Sequence, residues 1–166
     1  VEKQKEIEIV EKLGFSKCRV SLAVPKEVSV SDLSYFNGKK IATSYPNTLT
    51  QFLNKNNISA DIHFISGSVE IAPNIGLADA VCDIVSSGST LFKNGLKEVK
   101  TILTSEAVLA KSKKIKADKK VILDQLSFRI RAVLKAQDTK YILMNVPNDK
   151  IESVSAILPV MKSPTV

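Results

Sequence analysis

The sequence contains no tryptophan, a single histidine and two cysteines in 166 residues, and each scarcity removes a class of function. His63 lies in an apolar strand pattern with no second histidine to join it. A zinc cluster or a Ser-His-Asp relay is therefore not expected, and no residue is assigned as a metal ligand. Cys18 and Cys82 also fall inside apolar strand patterns and lack metal-site spacing. They read as buried reduced thiols in a cytosolic protein, not as a disulfide framework. Aromatic residues are 5% of the chain, too few for base-stacking platforms, and no nucleic-acid-reading motif is present. No apolar run approaches the ~20 residues of a membrane span, and nothing has the pattern of a signal peptide. The expected location is the cytoplasm, with neither membrane nor nucleic acid as a partner.

What is present is ordinary globular composition, 44% hydrophobic and 25% charged. A chain of this length can bury about 70% of its unfolded surface without disulfide staples. The net charge is +7, and much of it comes from six lysines between Lys111 and Lys120. That run is read as a solvated connector, although a basic balance also suits polyanionic substrates.

The most informative stretch is Asp79 to Thr90. Ala80 to Val85 is almost wholly apolar, as a buried strand should be. Ser86, Ser87, Gly88, Ser89 and Thr90 then form a small hydroxyl-rich loop, and Leu91 to Asn94 gives at most one helical turn closed by Gly95. Strand, glycine-containing loop and helix start together make an anion site, because backbone N–H groups and hydroxyls converge there. The alternative is an ordinary strand-to-helix loop that binds nothing. Asp83, three residues before Ser86, favours the site reading. It would face sugar hydroxyls or a metal carried by the same ligand.

Upstream, Cys18 to Val24, Lys39 to Thr43 and Asp61 to Ile65 read as strands. Pro46 opens a helix with Leu49, Phe52 and Leu53 on its inner stripe. The alternation of strand and helix predicts an α/β domain with a largely parallel sheet. In such sheets, ligands gather at the carboxyl ends of strands, where Thr43 to Tyr45, Ser66 to Ser68 and Ser86 to Thr90 all fall. Further on, Asp118 is expected to cap a long helix with Ile122, Leu126, Ile130, Val133 and Leu134 on one face. Tyr141 to Val146 is expected as a strand. Asn148 is expected to cap a helix burying Ile151, Val154 and Leu158.

The order of apolar strand, acid, two apolar residues and hydroxyl-Gly-x-Thr loop resembles the phosphoribosyl-diphosphate (PRPP) motif of phosphoribosyltransferases. The common form has two adjacent acids, whereas this chain has Cys82-Asp83. Asp79 is no direct substitute, since four strand residues separate it from Asp83 by ~13 Å. It either touches another part of the site, including the ribose, or simply begins the strand. Gly38-Lys-Lys-Ile-Ala-Thr-Ser-Tyr-Pro46, Gly67-Ser-Val-Glu-Ile-Ala-Pro73, Gly76-Leu-Ala-Asp-Ala80, Val85-Ser-Ser-Gly-Ser-Thr-Leu91 and Asn94-Gly-Leu-Lys-Glu98 complete the set. Together they resemble the ATP phosphoribosyltransferases, enzymes of the first step of histidine biosynthesis, in their long, regulated form.

The resemblance implies a glycosyltransferase whose substrates are PRPP and ATP, with Mg²⁺ carried in by the substrate. It implies a periplasmic-binding-protein-like α/β lobe followed by the start of a small α+β regulatory domain. Residues 1–17 would be a linker or ragged helix from a preceding half-domain, 18–110 the PRPP-binding lobe, 111–139 a hinge-returning segment and helix, and 140–166 the regulatory start. It also implies a homo-oligomeric intact enzyme, feedback inhibition by histidine through a complete regulatory domain, and little activity from this stretch alone. Ser86 to Thr90 would hold the 5′-phosphate and Asp83 the ribose. Glu70 is either a second site acid or a helix cap. Tyr45 either stacks on adenine or packs beside Pro46. Arg19 either meets ATP phosphate or pairs locally. Against the enzyme reading stands a non-catalytic α/β module that binds phosphate or another anionic solute.

Overall fold

The computed structural model describes residues 2–3, 6–137, 140 and 142–158. Five strands form the central sheet: β2 (Cys18–Pro25), β3 (Lys40–Thr43), β4 (Asp61–Phe64), β5 (Ala80–Val85) and β6 (Leu96–Ser105), in the order β4-β3-β5-β2-β6. The parallel part is β4-β3-β5, and β2 runs antiparallel to both its neighbours, β5 and β6. The sheet is therefore mixed. The expected α/β class stands, with the parallel pairings confined to one side.

Period-two alternation sorts the strand residues into two layers. Val20, Leu22, Val24, Ile41, Ala80 and Cys82 face α1 (Pro46–Lys55) and a 3₁₀ turn at Leu33–Phe36. Leu49, Leu53 and Phe36 close that side, and full burial of side chains this large contributes roughly 1.5–3 kcal/mol each. Ala23, Ala42, Val81 and Val85 face the other way. A 3₁₀ turn at Val69–Ile71 and the short α2 (Ser89–Lys93) cover them with Val69, Ala72 and Leu91. Cys82 is buried, which pushes its thiol up to about 12 and leaves it unreactive, while Cys18 is half-buried.

Residues 7–12, expected within a linker or ragged helix, are a strand instead. β1 (Ile7–Lys12) pairs antiparallel with β7 (Val108–Ser112). Ile7-Glu8-Ile9 alternates with period two, and Glu8 meets Lys111 directly across the ribbon at 3.3 Å. One lysine of the basic run is thus a cross-strand partner, and others lie in α3 (Ala117–Gln137).

Two units divide the chain, Val1–Ser127 and Phe128–Val166. α3 starts one residue before Asp118, so that acid sits inside the first turn. Its expected stripe holds at Ile130 and Leu134 and fails at Ile122, Leu126 and Val133. Ile122 and Val133 are 65% and 61% exposed. The more covered positions are Leu123, Ser127, Ile130 and Leu134, spaced i, i+4, i+7, i+11. Apolar residues lie on both sides of α3, so spacing alone does not select the covered one.

In the second unit, the strand expected at Tyr141 to Val146 falls partly outside the described residues. Residues 142–147 belong to no strand, and Leu143 is 84% exposed. A strand exists only by pairing, and residues 142–147 pair with none of the described strands. Asn148 is not a cap: it lies inside a 3₁₀ turn whose N-cap is Pro147, and that turn leads into α4 (Ile151–Ile157), whose N-cap is Lys150. Ile151, Val154 and Leu158, expected to be buried, are only partly covered, and α4 buries none of its residues.

Candidate functional site

The carboxyl ends of β3, β4 and β5 are tied into one rim by hydroxyl groups. Thr43 Oγ1, fully buried, donates to the Cys82 carbonyl at 2.6 Å and accepts from the Tyr45 N–H at 2.9 Å. Ser44 Oγ donates to the Ile65 carbonyl at 2.7 Å. The loops after the three parallel strands are thus fixed relative to one another, as the strand-end argument requires.

Ser86 to Thr90 occupy the rim beyond β5, with the four hydroxyl residues exposed and Gly88 half-buried. Gly88 has φ +82, a left-handed turn that glycine adopts without cost. It is the N-cap of α2, and no side chain caps that helix. The Ser89 N–H that opens α2 donates to Ser87 Oγ at 3.4 Å, a long bond made within the loop itself. Because α2 has only five residues, its dipole adds little. What the loop offers is its amides and the hydroxyls of Ser87 and Ser89, whose oxygens lie 2.9 Å apart.

Asp83 lies on the β5 face that carries Val81 and Val85, the face covered by the 69–71 turn and α2. Burial pushes its carboxyl up from the ordinary range, and the negative charge of Glu70 adds to the rise. Tyr45 is half-buried at the start of α1. Its hydroxyl is pushed up by burial and then by the negative charge of Asp83. Asp83 is therefore within electrostatic reach of both Glu70 and Tyr45. Glu70 sits in the first turn of its 3₁₀ helix and makes no cap, and the N-cap there is Ser68 in the left-handed region.

Asp79 is placed elsewhere. It precedes β5, at the end opposite the loop, and accepts from the Lys40 N–H at 2.9 Å. Lys39 approaches it at 4.0 Å. Of the two alternatives for this acid, the structure favours the strand start, because its carboxylate joins the amino ends of β3 and β5.

Arg19 lies beside the loop and is held within the chain. Its Nε and Nη2 donate to the two carboxylate oxygens of Glu98, both at 2.6 Å, and Nη1 donates to the Ser86 carbonyl at 3.0 Å. Ser21 and Thr101 hydroxyls also donate to Glu98, at 2.7 and 3.1 Å. Four donors hold the Glu98 carboxyl down to about 2. Sequence reasoning gave Glu98 no role. It is 79 residues from Arg19, and no local pattern links them.

His63 pairs with Asp61 at 2.8 Å, on the opposite edge strand. Among the described residues, no three His, Cys, Asp or Glu side chains gather as a set of metal ligands. None of the described helices is long and apolar enough to cross a membrane.

The family model described as ATP phosphoribosyltransferase matches residues 1–132, and the one described as the HisG C-terminal domain matches residues 136–166. Curated ATP phosphoribosyltransferases of Bacteroides fragilis and Cytophaga hutchinsonii are each 58% identical over the whole chain. The chain spans 59% and 58% of their lengths, respectively. Among solved structures, the ATP phosphoribosyl transferase (HisG:HisZ) complex of Thermotoga maritima aligns with a TM-score of 0.68 at 24% identity, covering 81% of this chain and 65% of that one. A substrate-binding protein of an amino acid ABC transporter aligns at 0.61 and 16% identity, covering 83% and 62%. At those identities the two likenesses establish the shared fold. Family assignment rests on the sequence matches, by which this chain belongs to the ATP phosphoribosyltransferase family.

Proposed function

We propose that this chain carries the PRPP-binding part of an ATP phosphoribosyltransferase acting in histidine biosynthesis in the cytoplasm. In that reaction, N1 of the ATP adenine forms a bond to C1 of PRPP, and the bond from C1 to the pyrophosphate oxygen breaks. Adenine N1 already has a free lone pair, so no residue is needed to deprotonate it. The protein's task is to orient two polyanions and stabilise positive charge building on the ribose.

The observation that carries the reading is Asp83, with Glu70 and Tyr45 in electrostatic reach of it, immediately before the hydroxyl-Gly loop at the end of β5. The loop amides and hydroxyls would hold the 5′-phosphate. Asp83 would accept from the ribose hydroxyls, and its carboxylate would also favour the oxocarbenium-like transition state electrostatically. Glu70 would act beside it, and Tyr45 would offer its ring to the adenine. Two carboxylates do not make a cage for a resident ion, so Mg²⁺ is assigned to the substrate, bound through its pyrophosphate. There it would offset the negative charge of the leaving group. Residues 18–110 form the PRPP lobe in this proposal, 111–139 the returning segment, and 140–166 the beginning of a regulatory domain responsive to histidine in a homo-oligomer.

Thermal protection tests the proposal. PRPP with Mg²⁺ should raise the melting temperature of the chain more than equimolar inorganic phosphate does. Equal protection by the two would instead favour a simple anion-binding module, which has no use for Asp83.

A further inference from the structure

We propose that Arg19 is a positioning residue that locks the peptide between Ser86 and Ser87, and that Glu98 holds Arg19 in the orientation to do so. The inference rests on the reading of the loop as the phosphate site and adds the means by which the loop is shaped.

The first ground is the peptide itself. A trans peptide is planar, and its C=O and N–H point in opposite directions. Arg19 Nη1 holds the Ser86 carbonyl at 3.0 Å. With that oxygen drawn toward the guanidinium, the N–H of Ser87 is turned to the opposite side, away from Arg19. A Cβ placed on Gly88 would lie 4.0 Å from Arg19 Nη2, so the guanidinium also underlies the left-handed residue of the loop. One planar group thus backs two consecutive turns of the anion loop.

The second ground is the way the guanidinium is fixed. Glu98 takes Nε and Nη2 in a two-pronged pair, a geometry that sets the plane of the arginine as well as its position. Glu98 is itself aimed by Ser21 and Thr101. Residues 98 and 101 would point to opposite faces of a regular strand. A register shift between Leu22 and Ala23 pairs Thr101 with Ser21 and Glu98 with Ala23, leaving Val99 as the extra residue of β6. The bulge therefore brings both side chains to the face of β2 that carries Arg19 and Ser21.

The third ground is charge. The Glu98 carboxylate lies against the guanidinium and offsets its charge, so Arg19 brings little net attraction for a phosphate. Its contribution is to geometry.

Glu98→Gln separates the two roles by sign. If Arg19 served as a counter-charge, removing the neighbouring negative charge would tighten PRPP binding. As a positioning pair, the same change frees the guanidinium and weakens PRPP binding about tenfold, the scale of one lost net hydrogen bond. Arg19→Met should weaken it at least as much. A second measurement needs no ligand. Backbone ¹⁵N order parameters of Ser87 and Gly88 should fall from the rigid level near ~0.85 toward ~0.6 in both variants, with Val81 and Cys82 unchanged. Tighter PRPP binding by Glu98→Gln, or loop order parameters unchanged in both folded variants, would overturn the proposal. If the unaltered chain does not bind PRPP, the functional reading fails, and the order parameters still decide whether Arg19 shapes the loop.

Discussion

Gly88 is the position where one atom should separate the fold from the site. Its φ of +82 belongs to the left-handed region, and an added Cβ would meet Val85 Cγ1 at 3.9 Å and Arg19 Nη2 at 4.0 Å. Both are ordinary contact distances, so Gly88→Ala introduces no clash in the packing. The whole penalty is in the backbone, roughly 1–2 kcal/mol for an L-residue held in this region. In a protein of this size each 1 kcal/mol moves the melting temperature about 2–4 °C, so a fall of about 2–8 °C is expected. The chain can relieve that strain only by rotating residue 88 out of the left-handed region, which redirects the amides that open α2. PRPP affinity should therefore drop about tenfold or more, the equivalent of one or two hydrogen bonds. Gly88→Asn should lose less, because asparagine tolerates this conformation, and Gly88→Val more, because a branched side chain does not. Gly14→Ala is the control. It has φ +75 with open space around it, so it should lose similar stability and no PRPP affinity. Calorimetric titration and thermal melts of the four variants decide the matter. PRPP affinity unchanged in Gly88→Ala, or reduced equally in Gly14→Ala, would refute the reasoning.

Asp83→Asn should weaken PRPP binding more than phosphate binding and should also stabilise the empty protein. The folded carboxyl is raised by burial and Glu70, so its ionisation works against the fold as pH climbs past the unfolded carboxylate range. The stability advantage of the variant should be absent in acid and present at pH 7, and an advantage confined to acid would contradict this. Glu98 runs the other way. Held down to about 2 from an ordinary 4.5, it contributes stability that is present above 4.5 and lost as pH falls toward 2. Acid melts of Glu98→Gln should be flatter over that window, and a slope equal to that of the unaltered chain would argue against the four-donor arrangement. Thr43→Val keeps the shape of a buried side chain but strands the Tyr45 N–H. It should cost about 1–3 kcal/mol in denaturant unfolding, and a neutral result would mean that the hydroxyl does not tie the rim.

Much of the candidate site's local structure was legible because its signals are local. Gly88 and Gly95 sit where turns need left-handed residues, and a run such as Ala80 to Val85 identifies a strand from consecutive residues alone. The spacing from Asp83 to the loop is equally short, so strand geometry carries it into space without help from the rest of the chain. α1 was readable for the same reason, since Leu49 and Leu53 lie one turn apart on a single buried stripe.

Strand direction was not legible. The pattern Cys18 to Val24 is the same whether its partners run with it or against it, because side-chain alternation does not depend on the sense of the neighbouring chain. The tertiary structure inserts β2 antiparallel to β5, and that choice sets Arg19 opposite Val85, beside the loop. In a parallel pairing, Arg19 would begin its strand at the far end of the sheet, near Asp79. The partner of Arg19 was hidden for a related reason, since Glu98 reaches it only through a bulge in β6 that leaves no mark in the apolar pattern. α3 makes the same point, because apolar residues on both its sides let the folded chain, and not the spacing, choose Leu123 and Ser127 as the covered ones. The sequence by itself determined the strands, the turns and the loop that offers its amides. Which side chains stand behind that loop was decided by pairing across the sheet, where residues far apart in the chain meet.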